Sequence, residues 1–240
     1  MRFFPIWLGA SVLGLALGCQ PAAVQPEPAP VTVAGNSPEV ERAAIAAAST
    51  APVPTPRTPP PTEAPVGWLA FGDSLTQDAF ATILAWREVL GPNGPTPINA
   101  GVRGDTTTTA LARIDGVLTA HPSARFVGLA FGTNDVWGRM TVAQFRTNMQ
   151  ALIDRVKAAG RTPVLATIPY SPESELASLP TYNQVLRELE AANGLPSGPD
   201  LYALTQADEA LIMADGVHMT PVGSQAIQRA WAETAARMLR

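Results

Sequence analysis

From Trp68 to the C-terminus the chain alternates short apolar runs with longer amphipathic ones, and this alternation constrains the fold more than any other feature. The apolar runs predict strands at Trp68–Gly72, Pro97–Ala100, Arg125–Gly132 and Thr162–Ile168, with a weaker one at Pro199–Ala203. Helical spacing covers Ala79–Leu90, where Phe80, Ile83, Leu84 and Val89 form a stripe, and Thr107–Leu118. Thr141 is placed to N-cap a helix reaching Ala159, where Gly160 stops it. After a loop at Pro169–Leu179, one helix spans Pro180–Ala192 and a last one starts at Thr220-Pro221. Arg125–Gly132 is almost continuously apolar, as a strand buried on both faces requires. Strands alternating with helices of this length build βαβ units and a mainly parallel sheet, and no internal repeat is visible.

In such sheets the reacting groups gather at the carboxyl ends of the strands. Asp73-Ser74 follows the first strand, Gly101 to Asp105 the second and Thr133-Asn134-Asp135 the third, so all three clusters fall on one edge. A serine hydroxyl is a poor nucleophile until a base removes its proton, and a carboxylate usually holds that base in the right tautomer. Asp215-Gly216-Val217-His218 supplies both groups on one short loop. At this spacing a tight turn brings the carboxylate to Nδ1 while Nε2 faces Ser74. The only other histidine, His121, precedes Pro122 at a helix end on the opposite side and reads as a solvated side chain. Acyl transfer also needs donors for an oxyanion. Asn134 offers its side-chain amide, Gly104 a backbone N–H where the chain can come close, and Ser74 its own N–H.

With these residues in this order, the sequence resembles the SGNH, or GDSL, hydrolase family. The four blocks stand as Gly72-Asp73-Ser74-Leu75, Asn99 to Asp105, Gly132-Thr133-Asn134-Asp135 and Asp215-Gly216-Val217-His218, and the likeness runs from about Trp68 to the C-terminus. The resemblance implies a flavodoxin-like three-layer α/β/α domain with a five-stranded parallel sheet. It implies Ser74 as nucleophile, Asp215 and His218 as the rest of the triad, and Gly104 and Asn134 as oxyanion donors. Gly104 is preferred to Gly101 because the family's donor glycine directly precedes the Asp-Thr that here is Asp105-Thr106. Two departures stand out: Met219 where the family usually has proline, and Gln77-Asp78 where a glycine is common. They bear on substrate preference and leave every reacting group in place.

The N-terminal quarter has a different character. Arg2 is followed by an apolar or small stretch from Phe3 to Leu17, the layout of a secretory signal peptide and short for a membrane span. It ends at Ala16-Leu17-Gly18-Cys19, which resembles the bacterial lipoprotein signal, although Ala16 stands where leucine is preferred. Residues 1–18 thus read as a signal peptide, and Cys19, the chain's one cysteine, as its lipidation site. Residues 19–66 read as a Pro/Ala-rich tether: Gln20 to Val66 holds 12 of the 24 prolines, which favours extended polyproline-II conformations. Residues 67–240 are left as the hydrolase domain. One cysteine excludes an intrachain disulfide and a cysteine metal cluster. A net charge of −4 argues against a nucleic-acid partner.

The expected protein is therefore an exported serine ester hydrolase, monomeric, with no metal or organic cofactor, touching a membrane only through a lipid anchor. It would cleave carboxylic or thio esters through an acyl-enzyme, in the manner of an esterase or lysophospholipase. A carbohydrate O-acetylesterase acting on polysaccharide or cell wall is the enzymatic alternative, and a catalytically silent binding module the alternative of another class. Trp137, Tyr170, Ser171 and Thr76 to Phe80 are the candidate substrate contacts.

Overall fold

The computed structural model describes residues 67–239. The signal peptide, Cys19 and the tether lie outside the described residues. Four strands, β1 (Gly67–Gly72), β2 (Pro97–Gly101), β3 (Ala124–Ala130) and β4 (Thr162–Leu165), form one parallel sheet in the order β2-β1-β3-β4. The helices are α1 (Ser74–Ala79), α2 (Leu84–Leu90), α3 (Thr107–Ala120), α4 (Thr133–Trp137), α5 (Val142–Ala158), α6 (Leu179–Asn193), α7 (Leu201–Ala207) and α8 (Pro221–Met238). Among the described residues no helix is long and apolar enough to cross a membrane.

The period of two along β1 divides the interior into two cores. Leu69 and Phe71 join Val127 and Leu129 of β3 under α3, α5 and α6, against Ile114, Phe145, Leu152 and Leu186. Trp68 and Ala70 face the other way, into a core closed by α1, α2 and α8. There Trp68 packs against Trp86, Trp231 and Phe126, with ring centroids 5.6–5.8 Å apart. Gly128 makes room for this cluster, since a Cβ there would lie 3.0 Å from the Trp231 ring.

Two sequence expectations are corrected. The helix predicted over Ala79–Leu90 is two helices, α1 beginning earlier at Ser74 and α2 at Leu84. The break is stabilised from α8: buried Gln228 donates to the Ala79 carbonyl (2.7 Å) and to Thr82 O, and accepts from Trp86 N (2.9 Å). Helix ends need such partners for their orphan groups, and this one comes from the far end of the sequence. Among the described residues the sheet also has four strands where five are expected. Pro199–Ala203 instead leads into α7, which Asp200 caps by accepting from Ala203 N at 3.1 Å. Only Ser197 pairs with Leu165, as an isolated parallel bridge. Proline has no N–H for a ladder, and an N-capping aspartate turns the chain away from the sheet. Pro199 still accepts from Thr167 N (3.2 Å), so the segment follows the edge of β4 without joining it as a strand.

Candidate active site

Ser74 is the first residue of α1, directly after β1. Asp73 has extended backbone and caps the helix, its Oδ1 accepting from Leu75 N at 3.0 Å. This strand–cap–helix junction leaves Ser74 6% exposed, and its hydroxyl makes no hydrogen bond among the described residues. Asp73 is 2% exposed, and burial pushes its carboxyl up to about 7, against the opposing Leu75 N–H. A charge on His218 also opposes that rise, so the two side chains lie within electrostatic reach.

The folded chain holds the Asp73 proton up to about pH 7, whereas an unfolded one releases it near 3.8. Ionisation therefore disfavours the fold progressively between about pH 4 and 7, and the cost is complete above that, at most about 4 kcal/mol. Asp73→Asn keeps an acceptor for the helix cap and removes the charge. Its Tm relative to the wild type should rise between pH 4.5 and pH 8. A difference that stays constant over that range would show that Asp73 titrates normally.

The β2–α3 connection presents Gly104 at φ 76°, a left-handed conformation that favours glycine, in a turn closed by Asp105 N donating to Val102 O at 3.2 Å. A Cβ on Gly104 would meet nothing within 4 Å, so this glycine faces open space. Gly101 differs: a Cβ there would sit 2.3 Å from Gln77 N, so it is packed against α1. Asn134 stands in the first turn of α4, and its Nδ2 donates to Asp105 O at 2.9 Å and, more weakly, to Asp73 Oδ2 at 3.4 Å. Asp135 is fully buried and turned away, accepting from Thr107 N (2.9 Å) and Thr107 Oγ1 (2.5 Å) at the start of α3. Burial raises its pKa, and those two donors counter the rise.

Asp215 and His218 form one compact turn before α8. Asp215 Oδ1 accepts from the N–H groups of Val217 (3.0 Å) and His218 (2.9 Å), while Oδ2 meets His218 Nδ1 at 2.8 Å. The two N–H groups and the ring hold the Asp215 carboxyl down to about 2. The side chains are 33% exposed for His218 and 49% for Asp215, so the pair opens to solvent. Gly216, at φ 72°, carries no side chain because Glu173 Oε1 lies 2.3 Å from where a Cβ would be.

Of the predicted site residues, the structure joins Asp215 to His218, and Asn134 to both Asp73 and the residue after Gly104. It makes no hydrogen bond between Ser74 and His218 among the described residues. Trp137 is 51% exposed at the end of α4, and Tyr170 packs edge-on against Tyr202 at 5.8 Å. Ser171 is buried and donates to Gly216 O at 2.6 Å, which makes it a brace for the Asp215–His218 turn. Thr76 and Phe80 are buried, Phe80 in the Trp86 core. Gln77 accepts from Arg103 N at 3.0 Å and Asp78 pairs with Arg103 at 2.6 Å, so the Gln77-Asp78 departure from the family pattern holds the Gly104 turn. Sequence reasoning gave no role to the side chains of Asp105 and Arg113. They pair across two turns of helix (2.5 Å), a separation with no signature of its own.

The strand order β2-β1-β3-β4, with polar loops at the carboxyl edge beside the β1/β3 switch point, defines a flavodoxin-like α/β protein. Residues 70–226 match the GDSL-like lipase/acylhydrolase family, and the chain belongs to it. It is thus a hydrolase acting on esters. Among solved structures, it is similar to the lipase/acylhydrolase from Enterococcus faecalis, with 27% identity, TM-score 0.61, and coverage of 71% of this chain and 96% of that one. An acetylxylan esterase from Geobacillus stearothermophilus shares the fold at 18% identity and TM-score 0.60, covering 70% and 93%. A further acetyl xylan esterase aligns at 22% identity and TM-score 0.59, covering 72% and 98%. Among curated protein sequences, none matches this chain.

Proposed function

We propose that this chain is an exported serine ester hydrolase that works through an acyl-enzyme on Ser74. The observation that carries the reading is the Asp215–His218 pair, a carboxylate 2.8 Å from Nδ1 on a ring whose other nitrogen has no hydrogen-bond partner among the described residues. In this reading His218 Nε2 takes the Ser74 proton as the hydroxyl attacks the ester carbonyl, and later delivers it to the departing alcohol. Asp215 holds the proton-bearing Nδ1 and stabilises the imidazolium. The Ser74 and Gly104 N–H groups and Asn134 Nδ2 receive the oxyanion, for which the long 3.4 Å contact between Asn134 and Asp73 is the one to yield. Water then repeats the cycle on the acyl-enzyme. No metal or organic cofactor takes part, and the chain works as a monomer.

The preferred substrates are carboxylic or thio esters of the kind cleaved by esterases and lysophospholipases. O-acetyl groups on polysaccharide are the second reading, favoured by the acetylxylan esterases among the similar structures. Export and lipid anchoring at Cys19 are supported by the N-terminal sequence alone. One experiment tests both halves: cells expressing the full chain or Cys19→Ala are fed labelled palmitate, and their membranes are assayed on p-nitrophenyl esters from acetyl to palmitoyl. The reading expects label and ester hydrolysis in membranes of the full chain, and neither in those of the variant. Label that persists in Cys19→Ala overturns the anchor, and failure to cleave any ester overturns the activity. A preference for acetyl would select the polysaccharide reading over the lipid one.

A further inference from the structure

Arg113, on the inner face of α3, binds the ends of β1 and β2 and the loop of Gly104, and it reaches Asn134 through Asp105. Its NH2 donates to Gly72 O (3.0 Å), the carbonyl just before Asp73-Ser74 at the end of β1. Its NH1 donates to Ala100 O (2.9 Å) at the end of β2, and its Nε to Asp105 Oδ2 (2.5 Å), one residue beyond Gly104. The guanidinium lies 4.1 Å from the centroid of Phe71, which removes its face from water, and the side chain is 23% exposed. Asp105 relays this grip. Its other carboxylate oxygen accepts from Thr109 Oγ1 (2.9 Å), and its backbone oxygen accepts from Asn134 Nδ2 (2.9 Å).

We infer that Arg113, through Asp105, is a positioning residue that sets the mutual distance of the Ser74, Gly104 and Asn134 donors. The inference rests on the oxyanion reading of those three groups. The planar guanidinium makes three directed bonds to three segments, which lysine's single ammonium cannot copy. Fixed donors matter because oxyanion stabilisation depends on their being aimed before the charge develops. A helix that simply needed attachment to the sheet would not need to direct all three guanidinium nitrogens to the strand ends and loop beside one site.

The test is kinetic, on the full chain with p-nitrophenyl acetate. Arg113→Met should lower kcat about 10–100-fold while KM moves less than about 3-fold, with Arg113→Lys in between. Asn134→Ala alone should cost about 100-fold, and adding Arg113→Met to it should cost less than about 3-fold more, because the clamp then has little left to aim. Multiplying losses, a loss carried by KM, or unchanged kinetics would reduce Arg113 to a structural staple. If Arg113→Met does not fold, Arg113→Lys and Asp105→Asn are judged by the same cycle. Ser74→Ala separates the two levels: full activity in that variant removes the underlying oxyanion reading, whereas an inactive Ser74→Ala beside a wild-type-like Arg113→Met removes only the clamp.

Discussion

Ser74→Ala in the full chain is expected to lower kcat/KM on p-nitrophenyl acetate by about 10⁴-fold or more while leaving the fold intact. The hydroxyl makes no hydrogen bond among the described residues, so removing it leaves no buried partner unsatisfied. Alanine is also a good helix former at the first position of α1, where the Asp73 cap to Leu75 N does not involve the serine side chain. The Tm should therefore stay close to that of the wild type, and the loss should be almost wholly chemical. A small residual rate is expected, because the donors and the bound geometry remain. Wild-type kinetics in Ser74→Ala would end the serine-nucleophile reading.

Asp215→Asn should lower kcat about 10³–10⁴-fold with little change in KM, and His218→Ala at least as much. Asparagine can keep its oxygen on the Val217 and His218 N–H groups, so the turn survives. Its amide nitrogen then takes the place of Oδ2 and points a donor at His218 Nδ1. The proton must move to Nε2, where the ring can no longer accept one from Ser74. With the Asp215 carboxyl held at about 2, the wild-type pair keeps its carboxylate down to about pH 3, so Asp215 does not supply the acid limb of the activity profile above that. Its contribution to stability is present above the ordinary carboxyl value of 3.8 and is lost as pH falls through about 2. Single-turnover rates with unchanged near-ultraviolet circular dichroism would check the chemistry apart from the fold. A kcat within about 10-fold of the wild type would remove Asp215 from the proposed triad.

The alternation of apolar runs and amphipathic helices was enough to read the layers and the parallel sheet. A strand such as Arg125–Gly132 declares double-sided burial in its own composition, and β3 forms over most of it, at Ala124–Ala130. The misreadings fall where a distant residue, or a cap, outweighs local pattern. The helical stripe over Ala79–Leu90 gives no sign of its break, because the partner that stabilises it, Gln228, is about 150 positions away. The apolar content of Pro199–Ala203 suggested a strand, and the proline and the Asp200 cap made it the entry to a helix. Ser171, a candidate substrate contact by its place near a strand end, has its hydroxyl committed to Gly216.

By itself, the sequence determined the fold class, the sheet edge on which the polar loops lie, and the pairing of Asp215 with His218, since these depend on periodicity and on contacts a few residues apart. Only the tertiary structure decided what lies around them. Asp73 became a buried acid at the junction of β1 and α1, Asp135 was turned to hold α3, and Arg113 was set against the ends of β1 and β2 and the loop after β2 at once. The physical reason is the same in each case. Desolvation and directed hydrogen bonds depend on which surfaces meet in space, and that meeting is set by packing across the whole domain.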